Sequence, residues 1–415
     1  MNWITWVFVA ALAAETTIRL WLSFRQVAAV RAHRNHVPDA FRGQIALADQ
    51  QKAADYTIAR AQLGRFTTVV ESLIKLAFTV GGGLAAVDAL CSHLGWREPW
   101  QGGLVILTVF LLLQLLGLPF ALWRTFRIEA RFGFNRSSPW LFTADMVKSL
   151  SLGLVLGTPL VLATLSLMER AGKWWWAWAW LVWLGVTVGL TWAAPRFIAP
   201  LFNRFTAITD AALKERVAAL LERCGFVAGG GVFVMDGSRR SAHGNAYFTG
   251  IGRNKRIVFF DTLLARIELN EIEAVLAHEL GHFRLHHVRH RLVTSVLAAL
   301  GALALLGLLA REPAFFSAFG VPETASMALL LFAMVMPAFA FFATPIGSWW
   351  SRRQELAADE FAARYSDPDD LITALLKLYR DNATTLTPDR VHSAFYDSHP
   401  SAVERIARLK QLATR

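Results

Sequence analysis

Seven long apolar runs constrain the possible folds of this chain more than any other feature. They cover approximately residues 2–24, 66–91, 102–123, 149–168, 174–194, 292–310 and 325–346. A helix needs about 20 mostly apolar residues to cross the hydrocarbon core of a bilayer, and only helices or closed barrels can span that core. The sequence therefore predicts a polytopic, predominantly α-helical membrane protein with about seven transmembrane helices. The lipid bilayer is an expected partner of this protein.

Charged residues interrupt the first two runs. The first contains Glu15 and Arg19, and the second contains Glu71 and Lys75, which are four residues apart. Residues at this spacing share a helix face and can form an ion pair, and charges inside a membrane face protein or water rather than lipid. Glu71 and Lys75 can therefore pair, either to lock helix packing or to serve a functional path.

Basic residues in the connecting loops predict the orientation in the membrane. The loops after the first and third runs carry Arg25, Arg31, Arg34, Arg42, Lys52, Arg60 and Arg65, then Arg124, Arg127, Arg131, Arg136 and Lys148. The alternate connections carry only Arg97, then Arg170 and Lys173, then Arg311. Because basic loops stay on the cytoplasmic side, the N-terminus is predicted outside. Residues 195–291 and the tail after residue 347 are predicted in the cytoplasm.

The same distribution explains the net charge of +11 without a nucleic-acid partner. The basic residues follow the membrane loops, and no RNA-binding or DNA-binding module accompanies them. We therefore expect no nucleic acid among the partners of this protein.

The long polar segment between the fifth and sixth runs predicts a strand followed by a helix. The stretch "KRIVFFDTLL" is rich in β-branched and aromatic residues and ends as a strand at Asp261. Asn270 and Glu273 have the spacing of a capping pair. Apolar residues then recur at helical spacing, namely Ile272, Val275, Leu276, Leu280 and Phe283. The segment "VLAHELGHF" is therefore predicted to lie on a helix.

This helix carries a candidate metal-binding pair. His278 and His282 are four residues apart, so both imidazoles can reach one tetrahedral zinc ion. Glu279 lies beside the first histidine, where its carboxylate can take a proton from a water that the metal activates. Three fixed residues also occur together by chance, and a hydrogen-bonded pair of helical histidines is the alternative. We interpret the nearby His286, His287 and His290 as a basic helix end at the membrane surface.

A zinc site needs a third protein ligand and an open fourth position. In one known scheme a glycine and a third histidine follow the pair, but those positions hold Leu285 and Val288. Glu355 and Asp359, four apart in "SRRQELAADEFAARYSD", offer carboxylates on one helix face. One of them can bind zinc while the other hydrogen-bonds a ligand imidazole. The alternative is a solvated helix face.

Five ordered motifs resemble one family, the integral-membrane zinc CAAX prenyl protease type 1, a gluzincin. They are "MDGSRRSAHGNAYFTG" (235–250), "KRIVFFDTLL" (255–264), "HELGH" (278–282), "SRRQELAADEFA" (351–362) and "SHPSAVERI" (398–406). Two upstream segments, "EARFGFNRSSPWLFTADMVK" and "PRFIAPLFNRF", are similar to the N-terminal half of that family. The resemblance covers nearly the whole chain.

The resemblance implies a fold and a set of site residues. It implies seven helices that enclose a water-filled intramembrane chamber, with one zinc ion at one end. The implied roles are metal ligation by His278, His282 and Glu355, general-base catalysis by Glu279, hydrogen bonding to a ligand by Asp359, substrate or oxyanion contacts by His399 and Arg405, and substrate-strand pairing by Asn245. Ser401 departs from the family, which often has a second proline after "HP".

The implied organisation has two domains. Residues 1–200 form an N-terminal transmembrane domain of five spans. Residues 201–415 form a zinc metallopeptidase domain that contains a small β-sheet, the last two spans at about 292–310 and 325–346, and a cytoplasmic C-terminal segment.

The implied function is that of a membrane-embedded zinc metalloendopeptidase. Its substrates are membrane-associated or hydrophobic peptides and proteins, with C-terminal processing of prenylated proteins as the family precedent. Three alternatives stay open: a quality-control protease of the same clan, an intramembrane site-two protease, and a non-catalytic membrane scaffold. The charges around the histidine motif argue against the second, and retention of Glu279 argues against the third. The sequence does not define the oligomeric state.

Overall fold

The computed structural model describes residues 2–226, 231–250 and 256–414. Its helices are α1 (Trp3–Ala32), α2 (Leu47–Phe78), α3 (Gly83–Ser92), α4 (Trp100–Trp123), α5 (Pro139–Arg170), α6 (Trp175–Ala193), α7 (Ala199–Phe202), α8 (Ala211–Arg223), α9 (Asp261–Leu264), α10 (Leu269–Arg284), α11 (His287–Leu309), α12 (Pro313–Ser317), α13 (Ala325–Ala340), α14 (Thr344–Tyr365), α15 (Pro368–Asp381), α16 (Arg390–Tyr396) and α17 (Ala402–Ala413). The strands are β1 (Phe205–Ala207), β2 (Val232–Met235), β3 (Ala246–Thr249) and β4 (Arg256–Phe260).

The prediction of about seven spans is confirmed. Six continuous helical segments of the described chain are long and apolar enough to cross a membrane: Trp3–Ala32, Trp100–Glu129, Pro139–Arg170, Gly172–Phe202, His287–Leu309 and Ala325–Tyr365. The pair α2 and α3 supplies a seventh, bent by 54°. The fold is therefore a mostly helical, multi-pass membrane protein.

The second span is broken by glycines, which the apolar run did not predict. Gly82 has a φ of +78°, a left-handed conformation that side chains disfavour. A Cβ at Gly81 would lie 2.7 Å from the carbonyl oxygen of Ala77. The "GGG" sequence thus permits a tight turn that larger residues would prevent, and the helix restarts at Gly83 in a new direction.

The charges of the first two spans pair across helices. Glu15 is buried and lies 2.8 Å from Arg19 and 3.5 Å from Lys75. The possible Glu71–Lys75 pair does not form: Lys75 contacts the Glu15 carboxylate of α1, while Glu71 is exposed on α2. A buried carboxylate is costly without compensating cations, and this explains why Glu15 attracts both basic side chains.

A four-stranded sheet lies beside the metal-motif helix, in the order β1-β2-β4-β3. β2 and β4 are parallel, whereas β1 and β3 pair antiparallel with their neighbours. Ile257, Val258 and Phe259 of β4 are buried. The strand prediction before Asp261 is confirmed, although Lys255 lies outside the described residues. β3 is an edge strand of this sheet, so no other strand of the described residues pairs with the second side of its backbone.

The predicted cap of α10 is displaced by two residues. Glu268 precedes the helix, and its backbone N–H donates to Oε2 of Glu271 at 2.7 Å. The side chain of Asn270 instead contacts Asp370 of α15. Tertiary contact thus removes Asn270 from capping, and Glu271 takes the position that we assigned to Glu273.

Candidate metal centre

The helix α10 places the histidine pair at its C-terminal end. His278 is buried, and His282 and Glu279 are partly buried. The chain turns at His286, which has a φ of 61°, and α11 begins at His287. Because α11 is a candidate span, the histidine motif lies just before the membrane helix.

A close helix contact brings the carboxylate helix to the histidines. A Cβ at Gly281 would lie 3.1 Å from Cα of Ala358 and 3.2 Å from its carbonyl oxygen. These distances are tighter than ordinary side-chain contacts, so glycine allows α10 and α14 to approach closely. Glu355 of α14 consequently faces His278 and His282.

The three candidate ligand atoms are spaced as metal ligands. Nε2 of His278 and Nε2 of His282 are 3.2 Å apart. Oε2 of Glu355 lies 3.4 Å from Nε2 of His278, and Oε1 of the same carboxylate lies 3.2 Å from Nε2 of His282. Ligands at 2.0–2.1 Å in a tetrahedron are about 3.3 Å apart. The two imidazoles and the carboxylate therefore fit one small divalent cation.

Asp359 and Arg405 hold the first histidine in orientation. Nδ1 of His278 lies 2.8 Å from Oδ1 of Asp359, so Nε2 points to the ligand cluster. Arg405 donates to both oxygens of Asp359, at 2.9 and 2.6 Å. Burial lowers the pKa of His278, but hydrogen bonds to Asp359 and Glu355 outweigh burial and raise it to about 9. Both carboxylates are buried, so the solvated-face reading of α14 is wrong.

His287 belongs to this cluster, contrary to our interpretation of a basic helix end. It is 6% exposed, and its Nδ1 lies 3.0 Å from Nδ1 of His282. This contact fixes the ring of the second histidine as Asp359 fixes the first. His286 and His290 are exposed, as expected for a helix end.

Glu279 lies in a cavity of about 160 Å³ next to the ligand cluster. Asn245, His399 and Arg405 also line this cavity, together with leucines of α15. Burial raises the pKa of the Glu279 carboxyl above its ordinary value, although His278 and His282 oppose the shift. A carboxylate with a raised pKa is a better proton acceptor near neutral pH.

The remaining predicted residues are also brought to this cavity. Nδ1 of His399 lies 2.7 Å from Oε2 of Glu355, and the side chain is 60% exposed. Arg405 is buried, with two donors directed to Asp359. Oδ1 of Asn245 accepts from the backbone N–H of Ala246 at 2.8 Å.

The open edge of β3 faces the same cavity. The carbonyl of Asn245 accepts from the backbone N–H of Phe260 at 3.0 Å. Because antiparallel strands alternate the direction of their backbone groups, Tyr247 also faces β4. The backbone groups of Ala246 and Phe248 then face away from β4, where the N–H of Ala246 already donates to Oδ1 of Asn245. An extended peptide can add to this edge as a further strand.

Asn382 is a site residue that the sequence did not indicate. Its Oδ1 accepts from the backbone N–H of Gly244 at 3.1 Å, and its Nδ2 donates to the Gly244 carbonyl at 3.2 Å. Both contacts fix the backbone just before β3. A lone asparagine at the end of α15 carries no motif that could have revealed this role.

Two sequence families match consecutive parts of the chain. Residues 26–204 match the family described as "CAAX prenyl protease N-terminal, five membrane helices". Residues 207–413 match "Peptidase family M48".

Individual proteins are similar over most of the chain. The CAAX prenyl protease 1 homolog of Arabidopsis thaliana is 35% identical over 295 residues, which are 71% of this chain and 69% of that protein. The homolog of Caenorhabditis elegans is 30% identical over 97% of both chains. The crystal structure of S. mikatae Ste24p superposes with a TM-score of 0.91 at 27% identity, covering 99% of each chain.

Proposed function

This chain belongs to peptidase family M48, and on that premise we propose that His278, His282 and Glu355 hold one zinc ion and that Glu279 is the general base. The protein is a multi-pass membrane metalloendopeptidase that acts on peptide or protein substrates. The observation that carries the residue assignment is the spacing of 3.2–3.4 Å among the three ligand groups.

Zinc is the metal that we propose for this donor set. Two imidazoles and one carboxylate with an open position are typical of catalytic zinc sites, whereas magnesium and calcium prefer oxygen ligands. When bound, zinc supplies Lewis acidity that polarises the scissile carbonyl and lowers the pKa of water.

The side chains around the site divide the remaining work. Glu279 accepts the proton of the attacking water and returns it to the leaving amine. His399 supplies a hydrogen-bond donor where negative charge develops on the carbonyl oxygen, and the Arg405 guanidinium, which also donates to Asp359, supplies positive charge nearby. Asp359 and His287 keep the two imidazoles in place. The open edge of β3 aligns the peptide through its backbone.

We propose C-terminal processing of prenylated proteins as the physiological reaction. The support is that similar proteins across 70% or more of the chain are named CAAX prenyl proteases. The spans that precede the peptidase segment would enclose the chamber that receives the isoprenoid. Glu71, exposed on a transmembrane helix, supports an aqueous interior, because charged groups avoid lipid.

We further propose the two-domain division near residue 200 and the predicted orientation. The support is the alternation of basic loops along the sequence. In this arrangement the N-terminus is outside and the peptidase segments are cytoplasmic.

A metal-content measurement tests the proposed ligand set. Glu355→Ala should reduce zinc per purified chain by most of its parental value, because a catalytic zinc site then retains only two protein ligands. Glu360→Ala is the matched control, since Glu360 lies on the same helix but contacts Arg408. Parental zinc content in Glu355→Ala would identify another third ligand.

A pair of peptides tests the proposed substrate class. The peptides share one sequence and differ only in an isoprenoid thioether on the cysteine. We expect the prenylated peptide to have the higher kcat/KM, because burial of its chain contributes about 0.8 kcal/mol per CH₂. Equal kcat/KM values would favour a general membrane-protein protease.

A further inference from the structure

The cavity that contains Glu279 is called the catalytic cavity below. A second cavity, which is polar, lies next to it. It has a volume of about 620 Å³ and is lined by Tyr56, Arg60, Arg124, Glu129 and His243, among others. We call it the cationic cavity. It forms where α2 and the helical continuation of α4 to Glu129 meet the segment that leads into β3.

Backbone hydrogen bonds fix the walls of the cationic cavity. The N–H of Arg136 donates to the carbonyl of Arg240, and the N–H of Ala242 donates to the carbonyl of Phe134, both at 3.0 Å. These bonds join the membrane half of the chain to the approach to β3. Backbone hydrogen bonds therefore hold the two parts of the cavity wall together.

The charges in this cavity are unbalanced towards positive. Arg60 stacks over the ring of Tyr56 and forms no salt bridge within the described part of the chain. Nε of Arg124 is 3.7 Å from Glu129. Glu129 also accepts from the Tyr56 hydroxyl at 2.8 Å and lies 3.7 Å from Nε2 of His243. Two guanidinium groups thus face one carboxylate that other donors already engage.

The cationic cavity and the catalytic cavity meet at Asn382. Its Oδ1 lies 3.2 Å from Nδ1 of His243 and accepts from the N–H of Gly244. His243 lines the cationic cavity, whereas Gly244, Asn245 and Asn382 line the catalytic one. A peptide that follows the edge of β3 towards its start would pass from one cavity into the other.

We propose that the cationic cavity binds the C-terminal α-carboxylate of the substrate, through Arg60 and Arg124. This inference rests on the proposed function, in which a short C-terminal fragment is released. An extended chain advances about 3.3 Å per residue, so three residues span about 10 Å. Counting back three residues from Ala246, which lines the same cavity as Glu279, reaches His243. The fragment would therefore end at the arginines.

The position of the arginines also fixes the direction of the substrate. Its C-terminal end points towards the start of β3, so the peptide lies antiparallel to that strand. Arginine suits this ligand because its planar guanidinium can donate two parallel hydrogen bonds to one carboxylate.

Binding of two peptides to the full-length Glu279→Gln protein tests the proposal without turnover. Both are fluorescent, isoprenylated peptides of one sequence that end three residues after the scissile bond. One ends in a free carboxylate and the other in a carboxamide. We expect the acid to bind about tenfold more tightly, as expected for a hydrogen bond to a charged group. Adding Arg60→Gln or Arg124→Gln should weaken acid binding and leave amide binding unchanged.

An unchanged affinity for the carboxamide peptide would show that each variant is folded. Arg65→Gln is the matched control, because Arg65 follows Arg60 on α2 but stacks on Phe24. Equal affinity of the parent background for the two peptides would overturn the proposal. The proposal would also be overturned if the Arg60→Gln, Arg124→Gln double variant still bound the free-carboxylate peptide more tightly than the carboxamide peptide. Failure of the proposed function would appear separately, as intact peptides after incubation with the Glu279-containing protein.

Discussion

Near the proposed metal centre, histidines that look alike in the sequence differ in how deeply they are buried. His287 and His290 both follow the "HELGH" motif, yet only His287 is buried and lies against the ring of His282. A group that orients a ligand imidazole contributes to metal affinity although it does not touch the metal. We therefore expect the two residues to differ in their effect on metal affinity.

Replacement of His287 should weaken metal binding. In His287→Ala the ring of His282 loses its contact, and we expect metal affinity to fall about 10- to 100-fold. Competition with a chelator of known affinity measures this value. His290→Ala, one turn away and exposed, should bind metal like the parent. An unaltered affinity in His287→Ala would show that the contact does not support the site.

Spacing along one helix predicted which residues could meet, but not how distant helices approach. His278 with His282, and Glu355 with Asp359, share helix faces, and the structure brings both pairs together. Their catalytic and metal-binding roles remain predictions. The place of His287 depends on the left-handed turn at His286, which no local sequence pattern indicated.

Among the elements, the crossing of α10 and α14 determines the geometry of the proposed metal site. Gly281 lets the backbones approach, and the buried Glu271 of α10 is held by Lys377 of α15 at 2.7 Å. These contacts fix the histidine helix from two sides. A small outward shift of α14 would move Glu355 away from both imidazoles.

An added methyl group at this crossing should disturb the site. Gly281→Ala places a Cβ against the backbone of Ala358, and we expect destabilisation of about 1–3 kcal/mol with reduced zinc occupancy. Denaturant unfolding in detergent and metal analysis measure the two effects. Gly301→Ala is the control, because a Cβ at Gly301 meets nothing within 4 Å. Parental stability and zinc content in Gly281→Ala would show that α14 moves to accommodate the added methyl group without loss of stability.

Element types were more predictable than their ends and bends. Long apolar runs reveal spans because the bilayer fixes their length. The bend at Gly82 depends on a left-handed backbone conformation, and the cap at Glu268 depends on competition for Asn270 by α15. Both are tertiary effects that local patterns do not contain.

For the whole molecule, the parts of the chain before and after residue 205 are joined at several points. Asn135 forms a β-bridge with Ser241, and Arg25 of α1 lies 2.9 Å from Asp389 near the C-terminus. The order of motifs along the sequence indicated two parts but not these contacts. They place the approach to β3 directly against the membrane helices.

Cysteine labelling tests the proposed orientation of the whole molecule. Cys91 and Cys224 are buried, so they should react little with an impermeant maleimide. In intact cells Arg97→Cys should be labelled from outside, whereas Lys214→Cys on α8 should react only after permeabilisation. The two positions are exposed. The reverse pattern would place the peptidase segments outside.

The central claim is that Glu279 acts as the base at a zinc site built by His278, His282 and Glu355. Zinc content and peptide cleavage, measured together on the purified parent and on Glu279→Gln, test it most directly. The expected result is one zinc per chain in both proteins and a loss of kcat of about 100-fold or more in the variant, because general-base catalysis contributes about 10²–10⁴-fold. Parental cleavage by Glu279→Gln, or a parent that cleaves without bound metal, would contradict the claim.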